Sequence, residues 1–273
     1  IRMGTFDVLA NVKRSDVIMK PFPHIVVKNC LPIKEYNELA NSYLPQEWFT
    51  RGKIKGENAR INCTVYDVLN QYRDNLIFEP SVKSIFPKIE KIVGKDIRNF
   101  SVTLNEPGSP YDNEHDLFID HNIGINTPSS KKSSVRGPHI DGLQKMFGGL
   151  MYFRREDDST KGGNLELYGW KGKREFQRHT EVLLGDVELF SEIEYAPNTL
   201  VMWLNSPDAV HGVSARNPSK VNRQLIYFSG RMNPNKFPKG LFPDYWPKKD
   251  NFCVRVSRRI KKIIKQLMGS KEN

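Results

Sequence analysis

Cysteine and long apolar segments are both scarce in this sequence. Its 273 residues include only three cysteines, and Cys30, Cys63 and Cys253 lie far apart. An odd number of scattered cysteines argues against a disulfide scaffold, and the lack of a C-x-x-C pair argues against a structural zinc knuckle. No segment approaches the ~20 apolar residues that a membrane-spanning helix needs. We therefore expect a protein of the reducing cytoplasm that has no transmembrane segment.

Acidic residues are also few relative to basic ones. The chain has 42 Lys and Arg against 31 Asp and Glu, which gives a formal net charge of +11. Such a charge favours an anionic substrate, nucleic acid or a membrane surface. The basic residues are spread along the whole chain, however, and this is the pattern of a solvated, lysine-rich surface. With 38% hydrophobic residues the chain can bury a core, which argues against wholesale disorder.

The pattern of apolar residues along the sequence changes near residue 99. Before it, residues 33–40 and 82–93 have the apolar spacing of helices, and residues 21–27 form a short β-like segment. After it, short β-rich segments alternate with Gly, Pro, Asn and Asp, which is typical of an all-β sandwich or barrel. The predicted strands are residues 100–104, 138–142, 147–154, 164–169, 199–204, 210–214 and 224–230.

Two segments interrupt this pattern. Residues 106–136 are rich in Gly, Pro and Asn and are predicted to form a long loop, in which His115, Asp116, Asp120 and His121 are solvated. After the last predicted strand come a Pro-rich segment and a basic helix at the C-terminus. We expect a single domain, 1–273, with three parts: a mixed, partly helical N-terminal support at 1–98, a β core at 99–231, and the Pro-rich segment and basic helix at 232–273.

Three side chains suit a metal centre. His139 and Asp141 are two apart in a predicted strand, so both point to one face. Alone, such a pair is more often a cap or an ion pair. His211 follows seventy residues after Asp141 in a β-like segment, where a single histidine is more often a core residue. Together they supply two imidazoles and one carboxylate, the facial triad of non-haem iron(II) oxygenases.

An arginine follows this set. Arg223 opens an apolar segment twelve residues after His211. A strand that returns beside His211 would bury the guanidinium, which can bind a carboxylate in a bidentate manner. The alternative is a surface arginine at an edge strand. Arg216 competes for the same role, but its turn-like surroundings predict a loop.

In residues 99–231, about half of the chain, the sequence resembles the prolyl-4-hydroxylase-like branch of the Fe(II)/2-oxoglutarate-dependent dioxygenases. The order and spacing of His139, Asp141, His211 and Arg223 carry this resemblance. Three shorter segments add to it: GGNLEL at 162–167, YAPNTL at 195–200 and PFPHIVVKNCLP at 21–32.

The resemblance implies a mainly β (α+β) fold: a double-stranded β-helix, or jelly-roll barrel, buttressed by N-terminal helices. It implies Fe(II) bound by His139, Asp141 and His211, with 2-oxoglutarate and O2 as co-substrates. Arg223 would bind the far carboxylate of 2-oxoglutarate, and Tyr152 would face the same molecule, with ordinary core packing as the alternative for this tyrosine. The implied reaction hydroxylates an unactivated C–H bond and releases succinate and CO2. Halogenating relatives lack the carboxylate that Asp141 supplies here, so the resemblance implies hydroxylation or a related oxidation rather than halogenation.

Other functions and several details stay open. A jelly-roll protein that binds a metal or ligand without turnover is one alternative. A nucleic-acid dealkylase of the same superfamily is another, although such relatives usually have a second arginine six residues after the first, where this chain has Ser229. We therefore expect a small-molecule or peptidyl substrate rather than nucleic acid. The sequence leaves the oligomeric state open, and also the hydroxyl group that would join Arg223 on 2-oxoglutarate.

Overall fold

The computed structural model describes residues 8, 9, 11–41, 43, 57–64, 101–104, 111–177 and 180–238. These residues form a mainly β structure, as the sequence predicts. None of their helices is long and apolar enough to cross a membrane. The predicted helices at 82–93 and in the C-terminal part lie outside the described residues.

The strands belong to two sheets. The elements are β1 (His24–Lys28), α1 (Ile33–Asn41), β2 (Arg60–Thr64), β3 (Val102–Leu104), β4 (Leu117–Asn126), β5 (Lys145–Tyr152), β6 (Leu165–Trp170), β7 (Val187–Ile193), β8 (Thr199–Leu204), β9 (His211–Val213) and β10 (Arg223–Met232). In the larger, seven-stranded sheet the order is β1-β8-β5-β10-β4-β2, and β3 pairs with β4 in parallel. The smaller, three-stranded sheet has the order β7-β6-β9, and its pairings are antiparallel.

Both faces of the larger sheet are buried, because successive side chains of a strand point to opposite faces. Met151 and Met202 pack with α1 and the N-terminal segment on one face. Tyr152 and Trp203 point the other way and pack with Leu165 of the smaller sheet. The second face therefore holds the interior between the two sheets, and side chains from β5, β8, β9 and β10 converge there.

The prediction of one long loop at residues 106–136 is wrong. Residues Leu117–Asn126 form β4, which pairs with β10 over ten residues. The Gly and Asn residues of this segment suggested a loop, but Leu117, Ile119, Ile123 and Ile125 are buried apolar residues spaced by even numbers. Pairing with β10 and burial of this face outweigh the weak local preference for a strand.

Other boundaries also differ from the sequence prediction. Residues 138–142 do not form a regular strand: His139 makes two isolated bridges, to Glu181 and to His211. β2 and β7 were not predicted, because their many polar residues hide the alternation. By contrast, α1 lies where a helix is predicted, and β8 has the predicted bounds.

Candidate metal centre

His139 and His211 lie directly opposite each other in two neighbouring segments. The amide of each donates a hydrogen bond to the carbonyl of the other, and both bonds are 2.9 Å long. In an antiparallel pair of this kind the two side chains point to the same side. The imidazole centroids are accordingly 4.4 Å apart. One backbone pairing thus brings together two histidines that are 72 positions apart in the sequence.

The orientation of both rings leaves one nitrogen of each available. Nδ1 of His139 lies 2.9 Å from the carbonyl oxygen of Gly137, and Nδ1 of His211 lies 2.9 Å from that of Ala209. A carbonyl oxygen only accepts hydrogen bonds, so each Nδ1 carries the proton. Each Nε2 then presents a lone pair, which is the form of imidazole that binds a metal ion.

Burial keeps both imidazoles neutral. It lowers the pKa of His139 and of His211, while the charge of Asp141 opposes the lowering in each case. The positive charge of Arg136 lowers the pKa of His139 further, and that of Arg60 lowers the pKa of His211 further. Neither ring therefore holds a second proton near neutral pH, and no proton has to leave before a metal binds.

Asp141 completes the metal-ligand triad of His139, Asp141 and His211. Each of the three offers one ligand atom, and these atoms lie within 4.8 Å of one another. Burial raises the pKa of Asp141, but Lys145 and the two imidazoles outweigh it and hold this pKa below its usual range. The Nζ of Lys145 donates to Oδ1 at 2.9 Å. The carboxyl group is therefore ionised, with one oxygen held by an ammonium group.

Arg223 is buried at the start of β10, with 2% of its surface exposed. Its Nε donates to the carbonyl of Gly163 at 2.9 Å, and Nη1 donates to Oδ1 of Asn126 at 3.1 Å. Nη2 is buried and has no hydrogen-bond partner. Within the described part of the chain, no carboxylate pairs with this guanidinium. A buried cation without a counter-ion is costly, so the site favours an anionic ligand at this point.

The segment at Gly162 and Gly163 shapes the surroundings of Arg223. Both glycines have positive φ angles, +86° and +79°. A Cβ on Gly162 would lie 2.1 Å from the carbonyl oxygen of Ala215, and a Cβ on Gly163 would lie 3.2 Å from Cδ of Arg223. Gly162 cannot carry a Cβ because its backbone lies against the carbonyl of Ala215, and at Gly163 the positive φ and the tight contact with Arg223 both disfavour a side chain.

Tyr152 packs beneath Arg223. The ring centroids of Tyr152 and Tyr195 lie 5.1 and 4.8 Å from Cζ of Arg223, which is cation–π geometry. Burial raises the pKa of Tyr152 to about 12, although the charge of Arg223 acts against this rise. Its hydroxyl group is buried without a hydrogen-bond partner. The phenol therefore has one unused donor beside the unused Nη2 of Arg223.

A cavity of about 180 Å³, the inner cavity, connects these groups. The metal-ligand triad and Arg223 all line it, whereas Tyr152 contacts Arg223 and does not itself line the cavity. Its volume is far larger than the ~15 Å³ that one water molecule occupies. Its remaining wall is mixed. The apolar part includes Leu150, Leu165, Trp203, Val213, Leu225 and Phe228, and the polar part includes Arg60, Asp120, Asn122, Lys145, Ser229 and Arg231.

Several groups at this site do not stand out in the sequence. Asn126, which holds Arg223, and Asp120, which bonds Nε of Arg231 at 3.0 Å, both lie on β4. Recognition of the alternating apolar residues of β4 is the signal that would have found them. Lys145 is one of many lysines in the chain, and only its contact with Asp141 distinguishes it.

Other candidates from the sequence have structural roles. Arg216, the competitor of Arg223, is buried and forms an ion pair with buried Asp158 at 2.8 Å. His115 pairs with Asp112 at 2.8 Å, outside the inner cavity. Of the two buried arginines among the described residues, Arg223 is the one without an anionic partner there, and it lines the inner cavity.

Neither protein-family models nor curated proteins match this chain. Its structure is similar to those of several prolyl hydroxylases. A Pseudomonas putida prolyl-4-hydroxylase shares 13% identity at a TM-score of 0.41, over 77% of this chain and 92% of that one. A Trichoplax adhaerens prolyl hydroxylase was solved in complex with a peptide fragment of the hypoxia inducible factor oxygen degradation domain. It shares 14% sequence identity at a TM-score of 0.49, over 80% of this chain and 87% of that one. A viral collagen prolyl hydroxylase from Paramecium bursaria Chlorella virus-1, in a 2-oxoglutarate complex, shares 8% sequence identity at a TM-score of 0.42, over 77% of this chain and 95% of that one.

Proposed function

We propose that this chain is an Fe(II)- and 2-oxoglutarate-dependent oxygenase that hydroxylates an unactivated C–H bond. The observation that carries the proposal is that the metal-ligand triad and an unpaired buried arginine line one cavity. In this proposal the two sheets form a double-stranded β-helix, and the chain forms one oxygenase domain. The odd number of scattered cysteines supports the reducing cytoplasm as its location.

The three ligands fit Fe(II). Two neutral imidazoles and one carboxylate leave three of six octahedral positions for other ligands. The hydrogen bonds of Nδ1 to Gly137 and Ala209 hold the rings of His139 and His211 in the orientation that a metal needs. Lys145 holds one oxygen of Asp141, which favours binding through the other oxygen.

Arg223 fits the far carboxylate of 2-oxoglutarate. A guanidinium group has five N–H donors, and Arg223 uses two of them on Gly163 and Asn126. The remaining N–H groups would then donate to the carboxylate oxygens, while Tyr152 supports the guanidinium through its ring from outside the cavity lining. This arrangement supplies the missing counter-ion of Arg223 and gives its buried Nη2 a partner.

The reaction balances as R–H, 2-oxoglutarate and O2 giving R–OH, succinate and CO2. When bound, the iron supplies the one- and two-electron chemistry that activates O2, which amino-acid side chains do not provide. The chain's own residues hold the ligands, orient 2-oxoglutarate and exclude water. Trp203 serves the last purpose, since its ring packs 4.5 Å from that of His211 and lines the inner cavity.

The test is 2-oxoglutarate turnover without added substrate, followed as succinate by NMR. We expect slow succinate formation that depends on Fe(II) and O2 and that is lost in His139→Ala and His211→Ala. His24→Gln is the matched control, because His24 is a buried histidine outside the inner cavity. Equal turnover in the triad variants and the control would refute the proposal, since the triad would then have no part in the reaction.

A further inference from the structure

A second cavity, the outer cavity, adjoins the metal-ligand triad. It has a volume of about 470 Å³ and shares Arg60, His139, Asp141, Lys145 and Arg231 with the inner cavity, whereas Arg136 lines only the outer cavity. Arg223 lines only the inner cavity. If 2-oxoglutarate lies between the triad and Arg223, as proposed above, the outer cavity is the space left for the substrate. Its volume is in the range of small-molecule sites, about 300–1,000 Å³.

The wall of the outer cavity is strongly basic. Among the described residues that line it are four cationic side chains, and Asp141 is the one carboxylate. Lys145 is bonded to Asp141, and Arg231 is bonded to Asp120. The other two cations are Arg60 and Arg136, for which no carboxylate partner exists in the part of the chain that the structure describes.

Binding of the co-substrates does not neutralise these two charges. Fe(II) and Arg223 together carry three positive charges and 2-oxoglutarate carries two negative ones, so this set leaves no negative charge for Arg60 and Arg136. Lys145 and Asp141 cancel each other, as do Arg231 and Asp120. An excess of two positive charges therefore remains at Arg60 and Arg136 beside the open side of the metal centre, and like charges in one cavity attract an anion.

Both arginines are held on paired backbone rather than on free loops. Arg60 begins β2, pairs with Asn126 of β4, and places Cζ 4.7 Å from the ring centroid of Tyr227. The carbonyl of Arg136 accepts a hydrogen bond from the amide of Val213 in β9, at 2.9 Å. One guanidinium thus comes from the larger sheet and the other from a segment bound to the smaller sheet. Arg60 is exposed and Arg136 is partly buried, so a ligand that enters from solvent can reach both guanidinium groups.

We propose that the outer cavity binds a substrate that carries an anionic group, a phosphate, sulfate or carboxylate, between Arg60 and Arg136. Guanidinium groups suit these anions, since their N–H groups match the spacing of the oxygens. The substrate's C–H bond then lies toward the triad while its anionic group points away from it. This proposal rests on the proposed function for the role of the bound molecule as substrate.

The test uses small anions as probes of the apo-protein. Phosphate, sulfate and acetate are titrated by calorimetry at constant ionic strength, in parallel with a single-stranded oligothymidine. We expect at least one small anion to bind with a millimolar dissociation constant. Arg60→Gln and Arg136→Gln should each weaken that binding about tenfold, and Arg60→Lys should retain part of it.

Arg155→Gln is the control for net charge, because Arg155 is an exposed arginine paired with Asp157 and is outside both cavities. It removes the same charge and should leave anion binding unchanged. Three results would overturn the proposal. They are no binding of any small anion, native-like anion binding in Arg60→Gln and Arg136→Gln, and binding of the oligonucleotide alone. Thermal melting of each variant shows whether it is folded.

The titration contains no iron and no 2-oxoglutarate, so its failure is distinct from failure of the proposed function. Anion binding through Arg60 and Arg136 in a protein without 2-oxoglutarate turnover would leave the anion site in place and remove its role in oxygenation. Turnover without anion binding would leave the oxygenase in place and point to a neutral substrate.

Discussion

The unpaired guanidinium of Arg223 makes the affinity for 2-oxoglutarate the most informative quantity to perturb. Arg223→Lys keeps a positive charge but loses the planar group that donates two parallel hydrogen bonds. Arg223→Met removes the charge as well, while it keeps much of the buried volume. We therefore expect the dissociation constant of 2-oxoglutarate to rise in the order Arg, Lys, Met.

The magnitude follows from the donors that Arg223 still has available. A hydrogen bond to a charged group contributes about 1.5–3 kcal/mol. Loss of one such bond in Arg223→Lys should weaken binding at least about tenfold. Loss of two in Arg223→Met costs about 3 kcal/mol or more, which is roughly 150-fold.

The assay is calorimetric titration of 2-oxoglutarate into protein loaded with Mn(II), which avoids oxidation of iron. Arg216→Lys is the matched control: Arg216 is also buried, but it pairs with Asp158 and is outside the inner cavity. We expect this control to lower the melting temperature and to leave the dissociation constant within about twofold of the native value. A folded Arg223→Met protein that binds 2-oxoglutarate as the native protein does would refute the assignment of Arg223.

Three further predictions concern the scaffold of the site. Gly163→Ala should destabilise the protein by about 1–2 kcal/mol in urea unfolding, because this residue has a positive φ. It should also weaken 2-oxoglutarate binding, because the new Cβ lies against Arg223. Gly137→Ala is the control, since a Cβ there meets nothing within 4 Å. Arg216→Met should lower the free energy of unfolding by about 3–5 kcal/mol, because it leaves the buried carboxylate of Asp158 without its ion-pair partner. Arg155→Met breaks an exposed ion pair and should cost about 1 kcal/mol or less. Equal costs in the two variants would contradict this account. Burial lowers the pKa of His24 in the folded state, so the unfolded state binds the proton first as pH falls. The stability of the apo-protein should therefore decline below pH ~6.5. His24→Gln should reduce this decline, and an unchanged slope in that variant would contradict the prediction.

Strands with regular patterns could be predicted from the sequence, and those that depend on distant partners could not. β8 has the predicted bounds because it is a short, continuous apolar segment that ends at polar residues. β4 contains Gly124, Asn122 and Asn126, which locally favour turns, and its pairing with β10, β2 and β3 makes it a strand. The mistake also placed Asp120 in a loop, although it lies on a strand and lines the inner cavity.

The convergence of the candidate ligands was predicted for a partly wrong reason. His139 and Asp141 were expected on a regular strand, yet only His139 is paired, and Asp141 lies outside the regular strands. What brings the triad together is the reciprocal bridge between His139 and His211, which joins distant segments. Spacing along the chain indicates which residue types are available, whereas pairing between distant segments decides which of them meet. The same limit applies to Lys145 and Asn126, whose importance depends on contacts that no local pattern encodes.

The most direct test of the central claim is anaerobic titration of the apo-protein with Fe(II) and 2-oxoglutarate, followed by visible absorption. If the triad binds iron and 2-oxoglutarate chelates it, a weak metal-to-ligand charge-transfer band should appear in the native protein. It should vanish in His139→Ala and His211→Ala, and it should need far more 2-oxoglutarate in Arg223→Lys. A folded protein that binds the metal and yet develops no such band at saturating 2-oxoglutarate would contradict the oxygenase assignment and favour a binding protein without turnover.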